Sequence, residues 1–322
     1  MPQNLSVKLL SSRFCYKALK NSYCKGEVFQ LHFPVMTNEV IQFLNPRPNE
    51  NFIDCTVGEG GHTMAILERT KPSGRVLGID ADPEILERFR HKVEGTDLAK
   101  RLVLVCGNFA NLSEIVKEQA FKRVSGVLFD LGLSSWHLEE SGRGFSFRRN
   151  EPLDMRYSLE NPLTARFIVN FWSLKDIERI LRVYGQERFS RKIAQEIVHS
   201  RPLKTTVDLV MAVERATPAW YHRKRIHFAT KTFQALRIAV NNELENLERA
   251  LPQALDIMDR GGRLVVIAFH SLEDRIVKNF LKAKSKEGVI EILTKKPLRP
   301  SKEEISKNPK SRSARLRAAL KV

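Results

Sequence analysis

The chain has few cysteines, a deficit of acids and no long apolar run. Four cysteines (Cys15, Cys24, Cys55, Cys106) in 322 residues are too scattered to pair as metal ligands. A disulfide scaffold and a zinc finger are therefore unlikely, no metal site is expected, and a reducing compartment is the natural setting. No stretch approaches the ~18 to 20 apolar residues of a membrane span, so a soluble protein with no membrane partner is expected. Acids number 37 against 54 Lys and Arg, a formal net charge of +17. That surplus points to a polyanion, most simply nucleic acid, although a generically basic protein has the same arithmetic. A hydrophobic share of 42% supports real cores and argues against a disordered chain. The length allows one large domain, or one domain carrying a second.

Residues 1–31 stand apart as a basic N-terminal extension. Met1 to Gln30 hold five basic residues, four serines and a single acid, Glu27. Such a start resembles a transit peptide, but Arg13 is its only arginine and no apolar core precedes a small-residue cleavage site. The preferred expectation is a basic arm or an overlong gene start on a bacterial cytoplasmic protein; the mitochondrial matrix is the alternative.

Beyond it, strand and helix signals alternate. Asn51–Thr56, Arg75–Asp80, Arg101–Cys106 and Ser125–Asp130 read as short buried strands, with helices at His62–Arg69 and after Asp82-Pro83. Continuous apolar strands alternating with helices imply a parallel sheet covered on both faces, a doubly wound α/β fold. From Leu163 to Thr217 the pattern is helical throughout. It predicts helices at 165–171, 174–183, 188–199 and 207–216. A long helical stretch, 233–258, punctuated by Pro252, then leads through Gly261-Gly262 into a strand, 263–269. Edge strands are expected at 289–293 and 315–320. The economical organisation is a first α/β part (32–136), an all-helical insertion for substrate recognition (137–225), and a second α/β part with a basic tail (226–322).

The turn after strand one, Val57-Gly-Glu-Gly-Gly61, suits a ligand held at a helix N-terminus. Asp80 closes strand two, 19 residues past Gly61, where an acid can accept both ribose hydroxyls. A dinucleotide and S-adenosylmethionine both fit that much. The latter is favoured because Thr63 stands where the dinucleotide fingerprint has its third glycine, and because Asp54 would oppose a pyrophosphate. Asp130 ends strand four, at the edge of the sheet where ligands bind. Ser134 and Ser135 beside it are either site groups or local caps.

Seven motifs occur in order: His32–Met36, Asp54–Thr63, Asp130–Ser135, Arg143–Phe147, Pro152–Arg156, Ala229–Ile238 with Asn241–Leu244, and Phe269–Ile276. Together they closely resemble the ribosomal small-subunit methyltransferase H family (RsmH, formerly MraW), from about His32 to the C-terminus. The resemblance implies a Rossmann-like class I methyltransferase with a helical insertion. It implies S-adenosylmethionine-dependent methylation of the exocyclic N4 of a cytidine in the decoding centre of small-subunit (16S) rRNA. The rRNA would be met within a near-assembled small subunit, and a homodimer is left open. Carried onto matching positions, Gly60, Gly61 and His62 would contact the methionine part of the cofactor and Asp80 the ribose. Phe109 would lie by the adenine, and Asp130 would complete the pocket. His137 takes a further cofactor position, in a Trp-His pair where many members carry Pro-Gln. Asp130 is also the candidate catalytic acceptor for the amino group. The chain lacks the acid-or-amide Pro-Pro-aromatic tetrapeptide of many amino-methyltransferases.

RNA contacts are expected from Arg143, Arg148, Arg149 and Arg156, and from Arg223-Lys-Arg225 beside Trp220, Tyr221 and His222. The tail from Leu281 holds 13 Lys and Arg against four acids, net +9. Phe145 and Phe147 are either base stackers or core. His270-Ser271 with Glu273 and Asp274 either reaches the substrate or caps a helix. Two other readings remain: a non-catalytic rRNA-binding assembly factor on the same fold, and a nicotinamide-dependent oxidoreductase.

Overall fold

The computed structural model describes residues 34–322; the basic extension, Cys15 and Cys24 lie outside the described residues. A sheet is built from β1 (Asn51–Asp54), β2 (Val76–Asp80), β3 (Leu102–Cys106), β4 (Val124–Asp130), β5 (Met258–Ala268), β6 (Ile290–Ile292) and β7 (Arg315–Lys321). Its order is β3-β2-β1-β4-β5-β7-β6. Strands β1 to β5 run parallel, while β7 is antiparallel to β5 and to β6.

The strands read as unbroken apolar runs because each face of the sheet is covered. Phe52, Val76, Leu128, Val265 and Ile267 pack on one side with the helices Thr37–Leu44 and Gly61–Arg69. Ile53, Leu77, Val127, Phe129, Leu264 and Val266 pack on the other, under Leu112–Glu118, Glu243–Ile257 and Ser271–Lys286. Successive residues alternate between these cores, as the period-2 geometry of a strand requires. Burying each such side chain stabilises the fold by roughly 1.5–3 kcal/mol before entropy is counted.

A separate core belongs to the helices Ala165–Phe171, Leu174–Val183, Ser190–His199 and Thr206–Ala216, with Ile168, Ile177, Leu181, Ile193, Ile197 and Leu209 at its centre. The apolar face of the helix Thr230–Asn241, including Phe233, Leu236 and Val240, is part of this same cluster. Ser173 and Thr205 cap two of these helices by accepting from the backbone N–H three residues on, and Thr205 forms a full capping box with Asp208.

Two boundaries differ from expectation. The long helical stretch 233–258 is two helices, Thr230–Asn241 and Glu243–Ile257, and the break is at Asn242 rather than at Pro252. Asn242 takes the left-handed conformation (φ 49°) that Asn tolerates well, while Pro252 sits inside the second helix. Strand β5 starts at Met258 rather than 263. The register between β4 and β5 jumps from Val124–Met258 to Gly126–Arg263. The extra residues form a bulge that Gly261 (φ 84°) makes feasible. Among the described residues, no helix is long and apolar enough to cross a membrane.

Candidate functional site

Strand order reverses between β1 and β4, and open α/β sheets bind ligands beyond the carboxyl ends of the strands at such a switch. A cavity of about 350 Å³ lies there. Val57, Gly58, Gly61 and His62 follow β1, Asp80 ends β2, Phe109 follows β3, Asp130 ends β4, and Leu131 to Ser135 follow it.

Asp54, fully buried at the end of β1, organises the loop. It accepts from the Thr56 N–H (3.1 Å) and from the Thr63 hydroxyl (2.6 Å), tying strand to helix. Thr63 thus does with a hydrogen bond what a third glycine would do by close packing. Burial pushes the Asp54 pKa up despite these donors. Gly60 (φ 80°) starts the helix Gly61–Arg69, and a Cβ on it would meet the Phe89 ring at 1.9 Å. A Cβ on Gly61 would meet Pro34 at 2.8 Å. Gly61 lines the cavity; Gly60 does not, its place being fixed by packing on Phe89.

Asp80 accepts from Gly58 N–H (2.8 Å) and Asp82 N–H (3.0 Å), so the carboxylate holds the glycine loop in place. Burial nevertheless raises its pKa. Phe109 meets Phe129 edge-on at 5.6 Å and presents an apolar wall. The Asp130 N–H donates to Thr56 Oγ1 (2.7 Å). The carboxylate Oδ2 of Asp130 lies 3.4 Å from His62 Nε2, while Oδ1 and both His62 ring nitrogens are buried without a hydrogen-bond partner. Burial opposes a charge on His62, but Asp130 beside it and Asp54 behind it hold its pKa above the ordinary value.

His137 also lines the cavity, but both its nitrogens are engaged, Nδ1 by Ser134 Oγ (2.7 Å) and Nε2 by Asp82 Oδ2 (3.0 Å). Neither nitrogen is therefore free for a ligand, and Trp136, Phe145 and Tyr157 also pack against the ring, each at 5.1 Å. Ser134 caps the helix Ser135–Glu139, and Ser135 Oγ accepts from Lys310, which also pairs with Glu139.

Several cations expected on the RNA face are used internally. Arg143 is buried against Asp82 (2.8 Å) and Glu84 (3.1 Å), because the Asp82 carboxylate, wholly removed from water, needs a counter-charge. Arg156 pairs with Asp154 (2.8 Å) and donates to the Leu159 and Asn161 carbonyls. Arg149 donates to the Glu139 carbonyl, and Arg148 is exposed. Phe145 is buried and Phe147 packs on Phe233, so both belong to the core. The helix Ser271–Lys286 is capped by His270, not Ser271. Nδ1 of His270 accepts from the Glu273 N–H and the Glu273 carboxylate returns the bond. Asp274 pairs with Arg315 and Arg317 instead of reaching the cavity.

The sequence profile of the MraW methylase family matches residues 29–322. The chain is 48% identical over 291 residues to ribosomal RNA small subunit methyltransferase H of Thermotoga neapolitana, covering 89% of this chain and 95% of that protein. The like-named protein of Dehalococcoides mccartyi (strain BAV1) is 45% identical over 306 residues, covering 90% of this chain and 86% of its own length. The chain belongs to the MraW methylase family. That of Thermosipho africanus, also so named, is 47% identical over 292 residues, covering 90% and 98%.

In this MraW methylase family chain, part of the cavity wall comes from residues that the sequence pattern did not single out as site groups. Tyr157, Asn241 and Glu243 line it, and Tyr157 OH donates to Glu243 Oε1 (3.3 Å). Arg237 grips Glu243 with two parallel bonds (2.7 and 2.9 Å). Asn241 spans the gap, donating to Met155 O (2.8 Å) and accepting from Tyr157 N–H (2.9 Å). Arg237 and Glu243 both stand in the quoted motifs, but their pairing depends on the helix break at Asn242, which the sequence pattern does not mark. Glu243, His270 and Glu273 bring ligand-type atoms within 4.8 Å of one another. Arg237 occupies both oxygens of Glu243 and Glu273 is committed to its cap, so the chemistry of this group is ion pairing and capping.

Proposed function

We propose that this chain transfers the methyl group of S-adenosylmethionine to the exocyclic N4 of a cytidine in the decoding centre of small-subunit rRNA, in the cytoplasm, on a near-assembled subunit. We also propose that Gly61, His62, Asp80, Phe109, Asp130 and His137 form its cofactor pocket, that Gly60 sets the loop behind them, and that the helical segment 137–225 recognises the substrate. The observation that carries the reading is the charge of the cavity. In a chain of net charge +17, its wall holds Glu59, Asp80, Asp130 and Glu273, besides Glu243, which Arg237 balances, against one lysine, Lys310, and His62. Such a cavity suits a cation and repels a pyrophosphate. Cofactor and residues fit in detail as well. Gly61, packed on Pro34, brings the helix N-terminus to the cavity, Asp80 offers an acceptor to ribose, and Phe109 offers a face to adenine.

When bound, the cofactor supplies an electrophilic methyl group. The residues must do the rest, because the N4 lone pair is delocalised into the cytosine ring. With the nucleoside taken by Asp80 and Phe109, the base would be left the part of the cavity lined by Asp130, Tyr157 and Glu243. Asp130 Oδ1, which has no partner of its own, accepts a hydrogen bond from the amino group and so orients N4 and raises its electron density. His62 Nε2 lies 3.4 Å from the other carboxylate oxygen, Oδ2. The proton released on methylation moves to Asp130 and from there to water.

Calorimetric titration with S-adenosylmethionine and with NAD tests the cofactor assignment. Binding of the first alone is expected, whereas binding of NAD alone would restore the oxidoreductase reading. Asp130→Asn, assayed in single turnover at saturating cofactor, should lose about 100-fold or more in methyl transfer, beyond whatever it loses in cofactor affinity. Full turnover in that variant would remove Asp130 from the chemistry.

A further inference from the structure

Most arginines near the site are paired with acids, but one exposed cluster on the helical segment is not. Trp220 is 48% exposed, in the short helix Ala219–His222. The Lys224 ammonium lies 5.0 Å from its ring centroid and the Arg188 guanidinium 5.9 Å. Arg188, Arg223, Lys224 and Arg225 are all exposed, and none forms a salt bridge among the described residues. The ring is held from beneath. Phe189 meets both Trp220 (5.9 Å) and Tyr221 (5.1 Å) edge-on. Tyr221 is buried, and its hydroxyl donates to Glu187 Oε2 (2.7 Å), itself 3% exposed. Glu187 also accepts from the Phe189 N–H (2.9 Å). An indole packed on Phe189, half exposed and flanked by the unpaired Lys224 and Arg188, has the chemistry of a stacking platform with phosphate ligands beside it.

We propose that Trp220 stacks an unpaired RNA base flanking the methylation target, with Arg188, Arg223, Lys224 and Arg225 holding the adjoining phosphates. This rests on the rRNA methyltransferase reading above. The logic is that a base must leave its helix to enter the cavity, and the strand on either side must then be kept open. Aromatic stacking is sequence-tolerant, so the platform would steady the strand while the cavity selects the base. A lipid surface, or an acidic peptide without aromatic residues, would use the same cations but would have no ring to stack on the indole.

The test uses the full chain with Trp220→Ala and Trp220→Phe. The probes are a fluorescent single-stranded 12-mer RNA of mixed sequence and heparin, a polyanion without bases. The proposal expects Trp220→Ala to weaken RNA binding by about 5- to 150-fold, Trp220→Phe to retain most of it, and heparin binding to stay unchanged in both. Unchanged cofactor affinity would show that the fold is intact. Arg223→Ala should lower the slope of log affinity against log salt by about one. RNA affinity unaltered by Trp220→Ala, or RNA and heparin affinity falling together, would overturn the platform. If the unaltered protein transfers methyl groups yet Trp220→Ala binds RNA normally, the platform alone fails. If the unaltered protein neither binds RNA nor methylates it, the underlying reading fails with it.

Discussion

Asp80 is drawn in two directions. Two backbone N–H groups favour its charge, but burial outweighs them and its pKa stands above the ordinary 3.8. A raised folded-state value means that the carboxyl's contribution to stability is greatest below 3.8 and is lost as pH rises through the folded value. At neutral pH the ionised group is therefore a local cost to the fold, and ligand hydroxyls that hydrogen-bond to it relieve that cost. Cofactor affinity should accordingly fall on acidification, starting above the usual aspartate range. Asp80→Asn should flatten that dependence and weaken binding at pH 7 by roughly 10- to 100-fold, the worth of hydrogen bonds to a charged acceptor. Calorimetry between pH 4 and 8 measures both. An affinity flat across that range in the unaltered protein would separate Asp80 from the ligand.

Between elements, the densest electrostatic link is Asp82, which starts the helix Pro83–Val93. Its carboxylate caps Glu84 N–H (3.0 Å) and joins His137 and Arg143, binding the β2 side of the site to the segment after β4. Arg143→Leu leaves that buried carboxylate short of its counter-charge and should destabilise the protein by about 3–5 kcal/mol in chemical denaturation. A loss under 1 kcal/mol would mean that His137 alone can balance Asp82. The Asp82-Pro83 start itself was legible from sequence, because capping and the fixed φ of proline are local effects. So were the five parallel strands, whose apolar runs need no partner to be recognised. The break at Asn242 and the early start of β5 were not. Both depend on backbone conformations, a left-handed Asn and a bulge at Gly261, that tertiary packing selects from several allowed alternatives. Arg143 and Arg156 were misjudged as RNA ligands for the same reason: their acids, Asp82, Glu84 and Asp154, become neighbours only in the fold.

Across the whole molecule, charge is partitioned. A basic chain closes around an acidic cavity, so a cationic cofactor and a polyanionic substrate are attracted to different places on one surface. The glycine loop, Asp80 and Asp130 could be picked out in the sequence because strand ends announce them. The wall of Tyr157, Asn241 and Glu243 could not, since its members come from segments over 80 residues apart, joined by bonds such as Tyr157 N–H to Asn241. The account stands or falls on what the cavity delivers to RNA. The direct measurement is transfer of a tritiated methyl group from S-adenosylmethionine to small ribosomal subunits lacking the modification, followed by nuclease digestion and identification of the labelled nucleoside. The account predicts N4-methylcytidine at a single decoding-centre position. Tight cofactor binding with no label in any rRNA, or label on another atom, would contradict it; the former would point instead to an assembly factor on a methyltransferase fold.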